Sequence, residues 1–341
     1  MKRRFRVRDS HLILTCRRAC PGCYSAAMPD NTTHRLTMGT AALLVIPPLM
    51  WAGNAVVGRM MQGVVPPVTL NLLRWVLAFA IVLPLAGWVL RRGSGLWPQW
   101  RRFALLGLLG VGLYNALQYM ALKTSTPINV TLVAASTPVW MLLVGRLFFG
   151  AGVSRRAAMG ALLSLTGVAV VLTRGELTAL ASVQLVPGDA WMLLASIVWA
   201  WYSWLLVRPP AGGYPPHIRT DWAAFLLGQM VFGLGWSALM TGGEWLLPGQ
   251  AGDAAATIQW GWPLVAALMY VAIGPSVLAY RCWGAGVARV GPTVAGFFSN
   301  LTPLFAALMS ALLLGEAPRA YHAAGFVLIV GGILVSSGRR Q

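Results

Sequence analysis

From Met38 onward the chain is built of long apolar runs separated by short polar or turn-forming breaks. Ten runs can be counted, at about 38–58, 69–90, 102–122, 128–149, 157–173, 189–207, 222–241, 262–283, 293–314 and 320–337. Each approaches the roughly 20 residues that a helix needs to cross a bilayer core. The breaks carry turn or charge signals: Pro66-Pro67, Arg91-Arg92-Gly93, Arg155-Arg156, Pro209-Pro210 and Gly242-Gly243. The pattern predicts an all-α membrane protein with ten transmembrane helices.

The runs repeat. Residues 126–174 and 291–339 align without a gap at an offset of 165, and the matches are the residues that shape a backbone. Pro127 falls on Pro292, Thr137-Pro138 on Thr302-Pro303, Gly150 on Gly315, Gly160 on Gly325 and Gly167 on Gly332. Trp51-Ala52 falls on Trp199-Ala200 at an offset of 148, the difference being absorbed by longer loops at 208–221 and 242–261. Five spans per half is an odd number, so the halves must sit in opposite orientations. The expected organisation is two inverted five-helix repeats, 38–174 and 189–338, joined by a linker at 175–188. Such duplication is the mark of secondary transporters, which carry solute between their repeats. Residues 1–37 are a basic tail, either disordered or lying ahead of a true start at Met28 or Met38.

Composition sharpens this. The chain has 341 residues, 57% of them hydrophobic and only 10% charged, with a mean hydropathy of +0.68. Soluble domains carry about 25% charged residues, so a water-soluble globule is excluded. A net charge of +18 would suit a nucleic-acid partner, but the basic residues sit in short clusters between apolar runs. With the N-terminus in the cytoplasm, nineteen fall inside, four outside (Arg59, Lys123, Arg174 and Arg319) and three within spans. That bias places both termini inside. Low Lys beside high Arg, Ala and Gly fits a GC-rich genome and hence a bacterial inner membrane. Cys16, Cys20 and Cys23 have no nearby fourth ligand, and Cys282 lies within a run, so no metal or other cofactor is expected.

Candidate chemistry lies in the few polar residues within the runs. Arg74, Arg146 and Arg281 fall inside spans, where arginine is expensive and marks function by default. Arg146 and Arg281 lie close enough to the inner ends to snorkel. Arg74 is the strongest candidate anchor for a substrate carboxylate or phosphate, through its paired guanidinium fork. Trp51 and Asn54 are three residues apart, as are Trp199 and Tyr202, Asn115 and Gln118, and Tyr280 and Trp283, so each pair lies on one side of a helix. Together they could line a cavity between the halves or serve interhelical packing. Pro138 and Pro303 fall mid-span, with Thr137, Thr302, Ser299 and Asn300 around them. Each proline leaves a carbonyl four residues back, on Ala134 and Ser299, without its usual donor. Broken helices near the midplane are binding places in such carriers, and the two prolines are candidate hinges. Trp97, Trp100, Trp245, Trp260 and Trp262 read as an interfacial belt.

All eight acids lie in the tail, loops or span ends, which leaves no carboxylate for a midplane proton relay. No two-His motif, short-spaced His–acid pair or Gly-rich phosphate cradle argues for an enzyme.

The chain resembles the EamA family of the drug/metabolite transporter superfamily over about residues 38–338. In the first half the resemblance is carried by Trp51-Ala52-Gly53-Asn54, Pro66-Pro67…Arg74, Ala121-Leu122-Lys123, Ser136-Thr137-Pro138 and Gly160…Gly167. In the second half it is carried by Ala279-Tyr280-Arg281-Cys282-Trp283, Val290-Gly291, Leu301-Thr302-Pro303, Leu314-Gly315-Glu316 and Gly325…Gly331-Gly332. It implies a ten-helix inner-membrane carrier of small metabolites working by alternating access, and Arg74 matches the family's second-helix arginine. The chain departs at Gly150-Ala151, where the family has Gly-Glu, and this favours a capping or folding role for Glu316. The expected function is transport, with export favoured, of small polar or amphipathic metabolites such as amino acids. The alternatives are a multidrug exporter of the same superfamily and a sensor or scaffold without transport. The expected partners are a small-molecule solute and the lipid bilayer, with no nucleic acid, and the carrier works as a monomer or homodimer.

Overall fold

The computed structural model describes residues 36–125, 127–176, 186–246, 258–314 and 319–337, all within one unit, Arg35–Gln341. The cysteine cluster, almost all of the tail, most of the linker and Glu316 lie outside the described residues. Every described element is helical, and nine helices are long and apolar enough to cross a membrane. They are α1 (Met38–Met60), α2 (Pro67–Leu90), α3 (Trp97–Thr124), α4 (Val130–Phe149), α5 (Arg155–Leu172), α6 (Pro187–Val207), α7 (Trp222–Leu246), α8 (Trp262–Phe298) and α10 (Ala320–Ser337). A further helix of 14 residues, α9 (Leu301–Leu314), follows α8.

The helix starts follow local chemistry. Thr37 Oγ1 caps α1 by accepting from Thr40 N at 3.2 Å, and Ser154 Oγ caps α5 by accepting from Ala157 N at 3.1 Å. Helix α2 begins with Pro66-Pro67 and has no cap of its own. Its orphan amides are met from α7, where the Glu244 carboxylate accepts from Val68 N at 3.0 Å and from Thr69 N and Oγ1 at 2.8 Å. An anion at a helix N-terminus also suits the dipole.

Several helices are irregular, and each irregularity has a cause. A π-helical turn at Gly107–Leu113 interrupts α3, and another at Ala272–Leu278 interrupts α8 around Pro275. Such turns free carbonyls. Asn71 Nδ2 donates to Val111 O at 3.0 Å, Tyr280 OH donates to Gly110 O, and Ser276 Oγ donates to Val271 O at 2.7 Å. Helix α4 breaks at Ala135-Ser136 and restarts at Thr137, with Pro138 in its first turn. Thr137 Oγ1 donates to Ala134 O at 2.6 Å and so supplies the donor that Pro138 withholds. In the second half the break falls at Ser299-Asn300, where Ser299 O accepts from Thr302 N at 3.0 Å. Within the 37-residue α8, Gly291 has φ 80° and ψ 163°, a conformation open to glycine, and the chain turns sharply there into Pro292.

Large apolar side chains such as Leu147, Phe148, Leu162, Val327 and Leu334 face outward, and Trp97, Trp100, Trp245, Trp260 and Trp262 are all exposed at helix ends. A bilayer supplies no hydrophobic force between helices, so close packing must hold them together. One close crossing is that of α5 with α10. A Cβ on Gly160 would stand 2.6 Å from Gly332 O, and one on Gly332 would stand 2.6 Å from Gly160 O. Gly167 and Gly325 face each other in the same way, at 2.9 and 3.0 Å. Rising numbers on one helix meet falling numbers on the other, so the crossing is antiparallel. Gly160→Ala is therefore expected to destabilise the protein by about 1–3 kcal/mol, because backbone rather than a flexible side chain is in the way. Gly331→Ala, where a Cβ meets nothing within 4 Å, is expected to be neutral. Thermal unfolding of the two variants in detergent checks this, and equal shifts would contradict the close approach.

Candidate functional site

The two helix breaks face each other across a small cavity. Its walls are Trp51 and Ala55 of α1, Tyr114, Gln118 and Leu122 of α3, Val130, Thr131, Ala134, Ala135 and Thr137 around the α4 break, Trp199 of α6, and Ser299, Thr302 and Pro303 around the α8–α9 break. The cavity volume is about 60 Å³. Two pairs that match in the sequence repeat meet here: Thr137 with Thr302, and Trp51 with Trp199. The indole rings of Trp51 and Trp199 lie edge to face, with centroids 5.2 Å apart. The cavity runs from the helix breaks towards the α3–α4 connection. Its lining among the described residues is aromatic and amphipathic, with hydroxyls and one amide and without a carboxylate, ammonium or guanidinium.

Beneath the cavity, aromatic rings close the interior. Trp199 packs on Tyr114, Tyr202, Tyr280 and Trp283 with centroids 4.7–5.5 Å apart, and Trp51 also touches Trp283. Edge and tilted contacts of this kind favour aromatic quadrupoles. Their polar atoms are tied to protein: Tyr202 OH donates to Gln229 Oε1 at 3.0 Å, and Trp283 Nε1 donates to Ser203 Oγ at 3.1 Å. Trp199 differs, since its indole N–H is buried without an acceptor among the described residues.

Arg74 is fully buried on α2. Its Nε and Nη2 donate to Ser276 Oγ of α8 at 2.9 and 2.7 Å. Its Nη1 donates to Asn54 Oδ1 of α1 at 3.2 Å, and to Asn115 Oδ1 and Tyr119 OH of α3 at 2.9 and 3.0 Å. Three of these partners turn an oxygen to the guanidinium by giving their protons elsewhere. Ser276 donates to Val271 O at 2.7 Å, Tyr119 donates to Asn54 Oδ1 at 2.8 Å, and Asn115 Nδ2 points to Tyr280 OH at 3.4 Å. A desolvated cation requires such a shell, and every member here is neutral.

The sequence-predicted residues thus divide by depth. Trp51, Gln118, Trp199 and Pro303 line the cavity. Asn54, Arg74 and Asn115 form the polar network behind its α1–α3 wall. Tyr202, Tyr280 and Trp283 belong to the aromatic layer below. Asn300 is buried beside the second break, donating to Ser164 Oγ at 3.0 Å, and Pro138 stands next to the lining Thr137. Residues three apart on a helix differ by about 60° around its axis, which is enough to set Trp51 on one side of a wall and Asn54 on the other. Tyr114 was absent from the sequence-derived set, although Tyr114, Gln118 and Leu122 follow one i, i+4, i+8 stripe. Arg146 and Arg281 are exposed, and the Arg281 guanidinium lies 4.6 Å from the Trp222 ring centroid. In the α6–α7 connection, burial pushes the Tyr214 phenol above its usual value, opposed by Arg102, whose Nε donates to it at 3.0 Å.

The profile of the EamA-like transporter family matches residues 38–173 and 186–338. An uncharacterized transporter of Archaeoglobus fulgidus is 28% identical over 304 residues, covering 89% of this chain and 98% of its own. The aromatic amino acid exporter YddG of Ancylobacter novellus is 26% identical over 298 residues, covering 85% of this chain and 93% of its own. One solved crystal structure shares the fold, with a TM-score of 0.62 at 23% identity over 87% of this chain and 96% of that one.

The Arg74 shell gives a stability test. Ser276→Ala removes the acceptor of a charged donor and is expected to cost about 1.5–3 kcal/mol, whereas Ser203→Ala removes a neutral acceptor and is expected to cost about 0.5–1.5 kcal/mol. Unfolding midpoints in detergent should rank the two in that order.

Proposed function

Because the chain belongs to the EamA-like transporter family, we propose that it is a secondary exporter of small polar or amphipathic metabolites such as amino acids, working by alternating access. The observation that carries this reading is the cavity at the meeting of two broken helices, with Thr137 opposite Thr302 and Trp51 against Trp199. Unwound backbone is tolerated at membrane depth where it lines a cavity. The export direction and the amino-acid class follow the Ancylobacter relative, an aromatic amino acid exporter.

The fold behind this reading has ten spans in two inverted repeats, 38–174 and 189–338. Dividing α8 at Gly291 and joining residues 292–298 to α9 supports the count. The antiparallel crossing of α5 and α10 supports the inversion, because exchanging the repeats turns the Gly160–Gly332 pair into the Gly325–Gly167 pair. Basic residues favour a bacterial inner membrane with both termini in the cytoplasm. The α3–α4 connection then lies outside, and the conformer described is outward-facing. Trp51, Gln118 and Trp199 contact solute, while Pro138 and Pro303 allow each broken helix to bend during rocking. One chain supplies both repeats, so a monomer suffices. A carrier of drug cations would need a carboxylate on the cavity wall, and the lining has none among the described residues.

The test compares intracellular and medium metabolites of cells overexpressing the wild type or Gln118→Leu, with protein level held constant. Selective depletion of one solute class from wild-type cells, reduced at least about tenfold in the variant as expected for a lost buried polar contact, supports export through this cavity. Failure of the wild type to redistribute any solute, both in cells and in amino-acid-loaded proteoliposomes, would overturn it.

A further inference from the structure

The Arg74 guanidinium lies one residue layer behind the cavity. Its partners on α1 and α3 are chain neighbours of lining residues: Asn54 precedes Ala55, Asn115 follows Tyr114, and Tyr119 follows Gln118. It is fully buried, and its hydrogen bonds go to Ser276 and these three side chains, so it is fixed in place without touching the cavity. Its hydrogen-bond partners in the described residues are all neutral. An unneutralised charge in a low-dielectric interior acts over several ångströms, because little solvent intervenes to screen it.

The lining holds polar groups on Tyr114, Gln118, Thr131, Thr137, Ser299 and Thr302, none of them a carboxylate. A positive field behind the adjoining wall calls for an anionic oxygen group on the solute.

Granting that the cavity carries solute, we propose that it selects solutes bearing an anionic oxygen group, and that Arg74 makes this selection through its charge, from behind the α1–α3 wall. Arg74 is then a specificity-determining residue. Its neutral shell serves to hold the charge at a fixed depth and to leave it unquenched. A direct fork onto substrate would require the guanidinium to leave four oxygens that already face it.

The experiment measures binding to purified wild-type, Arg74→Lys and Arg74→Gln protein by titration calorimetry. Each of phenylalanine, leucine and glutamine is offered as the amino acid, as its C-terminal amide, and as the matching aminophosphonic acid. The wild type and Arg74→Lys are expected to bind an amino acid at least about tenfold more tightly than its amide, and Arg74→Gln to bring that ratio close to one. The phosphonates distinguish a carboxylate site from one suited to phosphate. A purely structural arginine would weaken all three ligand forms alike and leave their ratio unchanged, and that result in a monodisperse Arg74→Gln protein would overturn the proposal. Should Arg74→Gln fail to fold, a ratio near one in the wild type or in Arg74→Lys overturns it equally. Export in cells without any such binding removes charge selection from this cavity, whereas absence of both binding and export overturns the transport reading itself.

Discussion

A cation buried in the membrane interior must be surrounded by oxygen, and that requirement organises the centre of this protein. Arg74 gathers α1, α3 and α8 around α2 by drawing one or two side chains from each. Loss of Ser276 leaves two charged donors short, so α2 and α8 are fixed in mutual register by a penalty rather than by a strong attraction. The register matters because the opposite sides of α1 and α3 form the cavity wall. Depth of charge and shape of cavity are set together.

Backbone irregularity is the second theme. The π-helical turns in α3 and α8 and the breaks at Ala135-Ser136 and Ser299-Asn300 disturb the hydrogen-bond ladder where no bulk water can repair it. Side chains repair it instead. Asn71, Tyr280, Ser276 and Thr137 each donate to a freed carbonyl. Ser276 and Tyr280 also belong to the Arg74 network, which ties the distorted part of α8 to the charge. Helices joined in this way can change shape locally while keeping their polar groups satisfied.

Elsewhere the protein is held by close approach. The α5–α10 crossing brings glycine against glycine, and Trp204 fills the space that Gly145 leaves open. Dispersion between well-fitted surfaces replaces the hydrophobic effect, which does little between helices that already lie in lipid. A rigid α5–α10 pair beside broken α4 and α8–α9 gives the molecule both a fixed part and a deformable one.

The sequence by itself determined the membrane class and where most of the apolar helices lie, because a bilayer demands about 20 apolar residues per crossing. It also picked out Arg74, since arginine in an apolar run has no cheap resting place. It set the turn at Gly291 in the break between the runs 262–283 and 293–314, but it spread the polar pairs over one undivided site. Only the tertiary structure decided which side of a helix meets the cavity. Trp51 and Gln118 turn to it while Asn54 and Asn115 turn to Arg74, because a rotation of about 60° crosses a wall one side chain thick. That choice depends on which helix packs against which, and so on contacts between residues as distant in the chain as Arg74 and Ser276.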